Sequence, residues 1–206
     1  MNNRTSICGL VAVLLPSILL ISACGKVRYP VNYILDFPKP TAYIKASQVG
    51  LGTVLVREFR CPEYLCRGPI AYRSSPEEVG FYEYHRWAVN PRQSVTQLVA
   101  ETLQAQLLFG HVALYEKGIE AAYVLSGQIE RLEEVDNGRD VVVVCAISAQ
   151  LSDTRTGSIV WNDRASETLS VQKRNVRGVV NALTITAQTT VEHLVKSMVA
   201  RLSHGG

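Results

Sequence analysis

The chain is poor in the residues and motifs that support catalysis. It holds four histidines, His85, His111, His193 and His204, in 206 residues. No two of them stand at a metal-ligand spacing, and no HExxH occurs. Walker A and GxGxxG loops are absent. Ser126-Gly127 lacks the leading glycine of a GxSxG nucleophile turn, because Val124 stands there. A zinc site needs about four ligands, and no second Cys or His pair accompanies Cys61 and Cys66. Glu77-Glu78 and Glu133-Glu134 each lie beside a turn. Adjacent carboxylates on a strand point to opposite faces and make a poor dyad, so solvated turn charge is expected at both places. No catalytic residue, metal or cofactor follows from this sequence. Charge of one sign is also missing: Lys and Arg number 21 against 18 Asp and Glu, a formal +3. With no basic cluster interleaved with aromatics, nucleic acid is not an expected partner.

A long apolar run is lacking as well. A spanning helix needs about 20 apolar residues, and a secretory h-region about 7–15. The run Ile7 to Ile21 is broken by Gly9, Pro16 and Ser17, and Arg4 precedes it. Leu19-Leu20-Ile21-Ser22-Ala23-Cys24-Gly25 then places a cysteine after two small residues. That is the pattern of a bacterial lipoprotein signal, with residues 1–23 removed and Cys24 lipidated. The alternatives are a secretory signal cut near Ala23 or an uncleaved anchor. One acyl chain holds a protein only marginally, at about 0.8 kcal/mol per buried CH₂, so a multiply acylated Cys24 implies lasting attachment. Gly25, where Asp would favour retention at the inner membrane, points to the periplasmic face of the outer membrane. Residues 24–32 then read as lipidated N-terminus and tether, and 33–204 as one domain of ordinary size.

Cys61-Pro62-Glu63-Tyr64-Leu65-Cys66 is a close pair in a polar stretch. In an oxidising compartment it favours a local disulfide over two free thiols. Cys145, inside Val141-Val142-Val143-Val144-Cys145-Ala146-Ile147, reads as a core residue.

Tyr33–Phe37 and Thr53–Phe59 read as strands, and Ile70–Arg73 and Val79–Trp87 as a hairpin. On its second run Tyr82 and Tyr84 are expected on one face, with Phe81, Glu83 and His85 on the other. Asn90-Pro91-Arg92-Gln93 starts a helix, which runs with apolar period to Leu107 and is expected to end at Gly110. Three strands follow as a meander, 123–133, 140–152 and 158–171, turned at Asp136-Asn137-Gly138 and Thr154–Gly157. The middle strand is apolar on both faces in its first half. A last helix carries Val176, Val180, Leu183, Val191, Leu194 and Met198 on one stripe. Its threonines allow a kink, and Gly205-Gly206 should stop it. The economical fold is α+β: a mixed, mostly antiparallel sheet with two main helices packed on it.

These stretches, in order, resemble the auxiliary lipoproteins of ABC-type transport systems, the PqiC-like group. The resemblance is carried by the Cys24 lipobox, Tyr33-Ile34-Leu35-Asp36, Ile70-Ala71-Tyr72-Arg73, Tyr82-Glu83-Tyr84-His85-Arg86-Trp87 leading into Pro91, Ser126-Gly127 and Gly157-Ser158-Ile159-Val160-Trp161. It covers nearly the whole mature chain. The Cys61–Cys66 loop departs from the pattern. The resemblance implies an accessory role beside periplasmic MCE-domain proteins that move lipids or other hydrophobic molecules, with a separate ATPase supplying energy. It also implies docking of that partner at the outer membrane. On this reading Arg73, Tyr82, Tyr84, Arg86 and Trp87 are the candidate partner surface, since Tyr, Trp and Arg dominate interfaces; the alternative is that these aromatics only cover the sheet. A ring-shaped homo-oligomer is compatible with a tubular partner. Another class of function is regulation of cell-wall synthesis or envelope assembly.

Overall fold

The computed structural model describes residues 28–41, 50–136 and 138–203. The long strands arise from local signals. Strand β6 (Tyr123–Asp136) turns through Gly138, at φ 84°, with Asp136 Oδ1 accepting the Gly138 N–H at 2.8 Å. Strand β7 (Val141–Asp153) turns where Asp153 Oδ1 accepts the Arg155 and Thr156 N–H groups, and Gly157 takes φ 71°. Strand β8 (Ile159–Ser170) completes an antiparallel meander, paired along nearly its whole length.

Before the meander come β1 (Val31–Tyr33), β2 (Thr53–Val56), a one-turn helix α1 (Glu63–Cys66), β3 (Pro69–Ser75), β4 (Glu78–Trp87), helix α2 (Pro91–Gln106) and β5 (His111–Leu114). Helix α3 (Val176–Ser203) follows it. All eight strands of the described residues join one sheet. One edge of β6 carries β7 and then β8; the other edge forks. Its first half pairs in parallel with β2, which pairs with β5. Its last residues pair in parallel with β3, which continues antiparallel to β4 and then parallel to β1. Because the long ladders are antiparallel and the parallel ones short, this is the mixed, mostly antiparallel α+β sheet that the sequence predicts.

Helices α2 and α3 pack against each other and on one face of the sheet. Val143, Cys145, Ile147 and Leu151 of β7 point toward them and are buried, as are Leu183, Val191, Leu194 and Met198 of α3. Each such side chain contributes roughly 1.5–3 kcal/mol of transfer free energy. Val144 and Ala146, on the opposite face, are buried too, so the first half of β7 is covered on both sides. Burial pushes the Cys145 thiol up to about 12, which keeps it neutral and inert. Strand β8 is tied to α3 by His193–Glu167 at 2.7 Å and by Ser197, whose hydroxyl donates to Asp163 and accepts from Trp161 Nε1.

Some boundaries differ from expectation, for physical reasons. The first strand is Val31–Tyr33, not Tyr33–Phe37, because its parallel partner β4 ends at Trp87, opposite Tyr33; Leu35 then tucks into the core. Strand β2 ends at Val56, after which Phe59 dives inward onto Gly127. A Cβ on Gly127 would lie 2.3 Å from the Phe59 ring, so only glycine fits there. Helix α2 starts as expected, with Asn90 Oδ1 accepting the Arg92 N–H. It ends at Leu107 in the left-handed region (φ 56°), three residues before Gly110. Ending there exposes Leu107 and buries Leu108 and Phe109 completely or nearly so, which offsets the strain. Strand β5 was not among the expected strands. In α3 the hydroxyls of Thr184, Thr186, Thr189 and Thr190 each bond to the carbonyl four residues earlier, and the helix runs uninterrupted for 28 residues. Gly205 and Gly206 lie outside the described residues.

Candidate functional site

Cys24, with the signal segment before it, also lies outside the described residues. The described chain enters at Arg28 and is in the sheet by Val31, where β1 pairs with the end of β4. The expected tether, residues 24–32, therefore runs into the first strand. The surface beside β1 is the part of the domain covalently nearest Cys24. No helix of the described residues is long and apolar enough to cross a membrane.

Strand β4 decides which aromatic residues face that surface. Ala71 pairs with Phe81 and Pro69 with Arg86, so β3 advances two residues while β4 advances five. The three extra residues are an odd number, and an odd insertion flips the side chains beyond it to the other face. Tyr82 and Tyr84 are thereby separated rather than sharing one environment. The Tyr82 ring stands edge-on to His85 at 5.7 Å and tilted against Tyr72 at 5.3 Å. Its hydroxyl donates to Glu134 Oε2 at 2.7 Å. Tyr33 meets His85 Nδ1 through its hydroxyl at 3.1 Å. Tyr33, Tyr82, His85 and Glu134, with Arg174 from the loop before α3, line a cleft of about 670 Å³. Tyr84 instead faces outward beneath the Arg28 guanidinium, 6.0 Å away.

The two adjacent glutamates are buried, which corrects the expectation of solvated turn charge. Glu133 is fully buried and Glu134 nearly so. The reason is that β6 extends past Glu133 to Asp136 and so carries both carboxylates between neighbouring strands. They do point to opposite faces. Burial above all, and then the nearby Asp136, raise the Glu134 carboxyl above its ordinary range against the hydrogen bond from Tyr82. Burial and the bond to Glu134 push the Tyr82 phenol upward. On the other face, Glu133 Oε1 accepts from Arg73 Nε at 3.0 Å and from Arg131 Nε at 2.7 Å. Its Oε2 accepts from Arg73 Nη2 at 3.2 Å and from Tyr64 at 3.3 Å. Tyr64 rides on α1, where Cys61 and Cys66 are bridged at 1.96 Å. The disulfide loop is thus clamped to the sheet through a buried carboxylate. Glu77 and Glu78 are exposed in their turn.

The five residues expected to form a partner surface therefore occupy different settings. Arg73 belongs to the Glu133 cluster, Tyr82 lines the cleft, and Trp87 is buried at 8% exposure. Tyr84 is half-buried and Arg86 exposed, and both adjoin β1. Glu133 and Glu134 are structural residues that sequence reasoning placed in solvent. Arg131 is two residues from Glu133, but the other partners lie 52 to 69 residues away, and no local spacing marks those.

Chemically the arrangement suits binding. The hydrogen bond of His85 goes to a tyrosine, and the carboxylates are held by phenols and guanidiniums. Among the described residues, no group of three or more His, Cys, Asp or Glu side chains could hold a metal ion.

A family model described as an ABC-type transport auxiliary lipoprotein component matches residues 33–198. Among curated proteins no match is found. Among solved structures, one from Xanthomonas campestris superimposes with a TM-score of 0.74 at 16% identity, covering 84% of this chain and 98% of that one. A second, of an uncharacterised protein, gives a TM-score of 0.65 at 16% identity, covering 82% of this chain and 99% of that one. Both likenesses establish a shared fold.

Proposed function

The chain belongs to the family of ABC-type transport auxiliary lipoprotein components, and from that premise we propose that it docks a periplasmic MCE-domain protein at the outer membrane during transport of lipids or other hydrophobic molecules. The family is one of transport accessories and not of enzymes, and it implies attachment to the cell envelope. In the proposal, Cys24 carries the acyl chains and residues 1–23 are the removed signal. The segment from Cys24 to Val31 can span at most about 25 Å. That tether keeps the β1–β4 corner close to the bilayer.

The observation that carries the docking surface is the outward placement of Tyr84 and Arg86 beside Arg28, next to that tether. An aromatic ring flanked by arginines is a common interface anchor. Trp87, buried at the end of β4, and Tyr82, packed on His85, adjoin the corner. A ring of copies of this chain around the partner is compatible with the same corner facing inward.

The test is capture of the full-length lipidated protein from cross-linked envelopes, with mass spectrometry to identify the partner. An MCE-domain protein should be recovered with the wild type. Tyr84→Ala combined with Arg86→Glu should lower its recovery at least tenfold, as expected for loss of an interface anchor. Recovery of peptidoglycan synthases alone would replace the transport reading with regulation of cell-wall synthesis. Unchanged recovery by the double variant would move the docking surface elsewhere.

A further inference from the structure

The face of the β6–β8 meander turned away from α2 and α3 holds an open cleft of about 830 Å³. Alternation along the strands puts polar side chains there: Gln128 on β6, Gln150 on β7, and Asn162 and Arg164 on β8. Two more arginines border it from the segment that follows β2. Arg57 donates its N–H to Leu125 O, and Arg60 donates to Gly127 O while its carbonyl accepts from Ile129. The main chain of both is therefore fixed on β6 before any ligand arrives.

The charges on this cleft do not cancel. Arg164 is paired with Glu130 at 2.7 Å, and Glu58 is paired with Arg92 at 3.7 Å. Burial alone would raise Glu130, but hydrogen bonds from Arg164 and Ser148 outweigh it and hold the carboxyl below its ordinary range. Glu130 thus stays ionised and neutralises Arg164. Arg57 lies over the Tyr115 ring at 4.4 Å, a contact that leaves its N–H donors free. Among the described residues, neither Arg57 nor Arg60 has a carboxylate within ion-pair distance. The lining's other acid, Asp163, has its carboxylate taken by the Ser197 hydroxyl of α3 and the Arg164 N–H. Two guanidiniums without an ion pair thus face one such carboxylate, which leaves an excess of positive charge.

We propose that this cleft binds the glycerophosphate headgroup of an anionic phospholipid, with the phosphate held by Arg57 and Arg60 and the glycerol hydroxyls by Gln128, Gln150 and Asn162. A phosphate diester presents two anionic oxygens in tetrahedral geometry and so can accept from both guanidiniums at once. The side-chain amides supply both donors and acceptors, which hydroxyl groups need. The volume falls in the range of small-molecule sites, about 300–1,000 Å³. Large apolar side chains are not part of its lining, so the site takes the headgroup and leaves the acyl chains outside. The protein would then contact transported lipid as well as its transport partner. Only the origin of the ligand rests on the lipid-transport reading above; the recognition chemistry does not.

The test uses the full chain in neutral detergent, titrated calorimetrically with four probes: dihexanoyl phosphatidylglycerol, glycerol 3-phosphate, dihexanoyl phosphatidylcholine and inorganic phosphate. The first two should bind with similar affinity, and binding should weaken as salt rises. The other two should bind at least tenfold more weakly. Arg60→Gln, which removes a side chain without an ion-pair partner, should weaken phosphatidylglycerol at least tenfold with an unchanged circular dichroism spectrum. Arg57→Gln added to it should abolish measurable binding. Equal binding of inorganic phosphate or of phosphatidylcholine, or an unaffected Arg60→Gln variant, overturns the proposal. So does glycerol 3-phosphate binding more than a hundredfold below the lipid, since recognition would then lie in the acyl chains. The Tyr84→Ala, Arg86→Glu variant should retain headgroup binding. Retention of headgroup binding without any MCE-domain protein captured would count against the docking reading alone.

Discussion

Glu133→Gln is the substitution with the largest expected structural effect. The wild-type carboxylate is fully buried and accepts from two arginines and a tyrosine. Removing one partner of a buried ion pair typically costs about 3–5 kcal/mol, because the remaining charge is left uncompensated. Here the arginine side chains keep 19% and 36% exposure. Water can therefore recover part of their solvation, and screening lowers the attraction that is lost. About 2–3 kcal/mol remains as the expected loss, allowing for the solvent exposure. For a domain of this size that corresponds to a fall in Tm of about 4–12 °C. Urea unfolding of the full chain in detergent, followed by circular dichroism, should show a lower midpoint with the slope unchanged. In an Arg73→Met background the same change should cost about 1 kcal/mol less, since one of the stranded charges is gone. A loss below about 0.5 kcal/mol, the range of an ordinary surface change, would refute the clamp.

The disulfide closes a short loop, so Cys61→Ser with Cys66→Ser should cost only about 2 kcal/mol on chain-entropy grounds; unreduced protein should yield the bridged peptide two hydrogens lighter, and thiols that alkylate without reduction would exclude the bridge. For Glu134, burial raises the folded-state pKa, so the stability it contributes is fully present below the ordinary carboxylate value and is lost as pH rises through the raised one. The Tm of wild type minus that of Glu134→Gln should therefore grow as pH falls from about 7.5 toward 5, and a flat difference would contradict the assignment. Cys24→Ala should leave the fold intact and move the protein from the membrane fraction to the soluble one; a variant that still sediments with membranes would refute lipid anchoring.

The features legible in the sequence are those whose determinants are local. Asp136 and Gly138 sit two residues apart, and so do Asp153 and Arg155, so both hairpins of the meander could be read directly. Asn90 and Pro91 mark the start of α2 in the same way. The alternation of β7 revealed a central strand before any partner was known. The illegible features depend on residues far apart in the chain. Nothing near Glu133 announces Arg73, 60 residues earlier. Nothing near Tyr82 announces that three extra residues in β4 will turn it toward His85. Strand β5 is four residues long and forms because β2 presents a free edge. Leu107 adopts a left-handed conformation because two neighbours are worth burying.

The fork in β6 connects these points to function. A strand of 14 residues is too long for either β2 or β3 to cover, and each takes one half of the same edge. Where they diverge, the chain between them must cross the gap, and it does so with Arg57 and Arg60 on one side and the Cys61–Cys66 loop on the other. The arginines are thereby left on the open face with main chains already fixed. The disulfide loop closes the fork by delivering Tyr64 to Glu133. Beyond the fork, β3 and β4 carry the Tyr84–Arg86 corner out to β1 and the membrane tether. The fork thus separates the proposed headgroup cleft from the proposed docking corner. A change in the Glu133 clamp, which holds the two branches together, should loosen both, whereas Arg60→Gln and Arg86→Glu should each disturb only one.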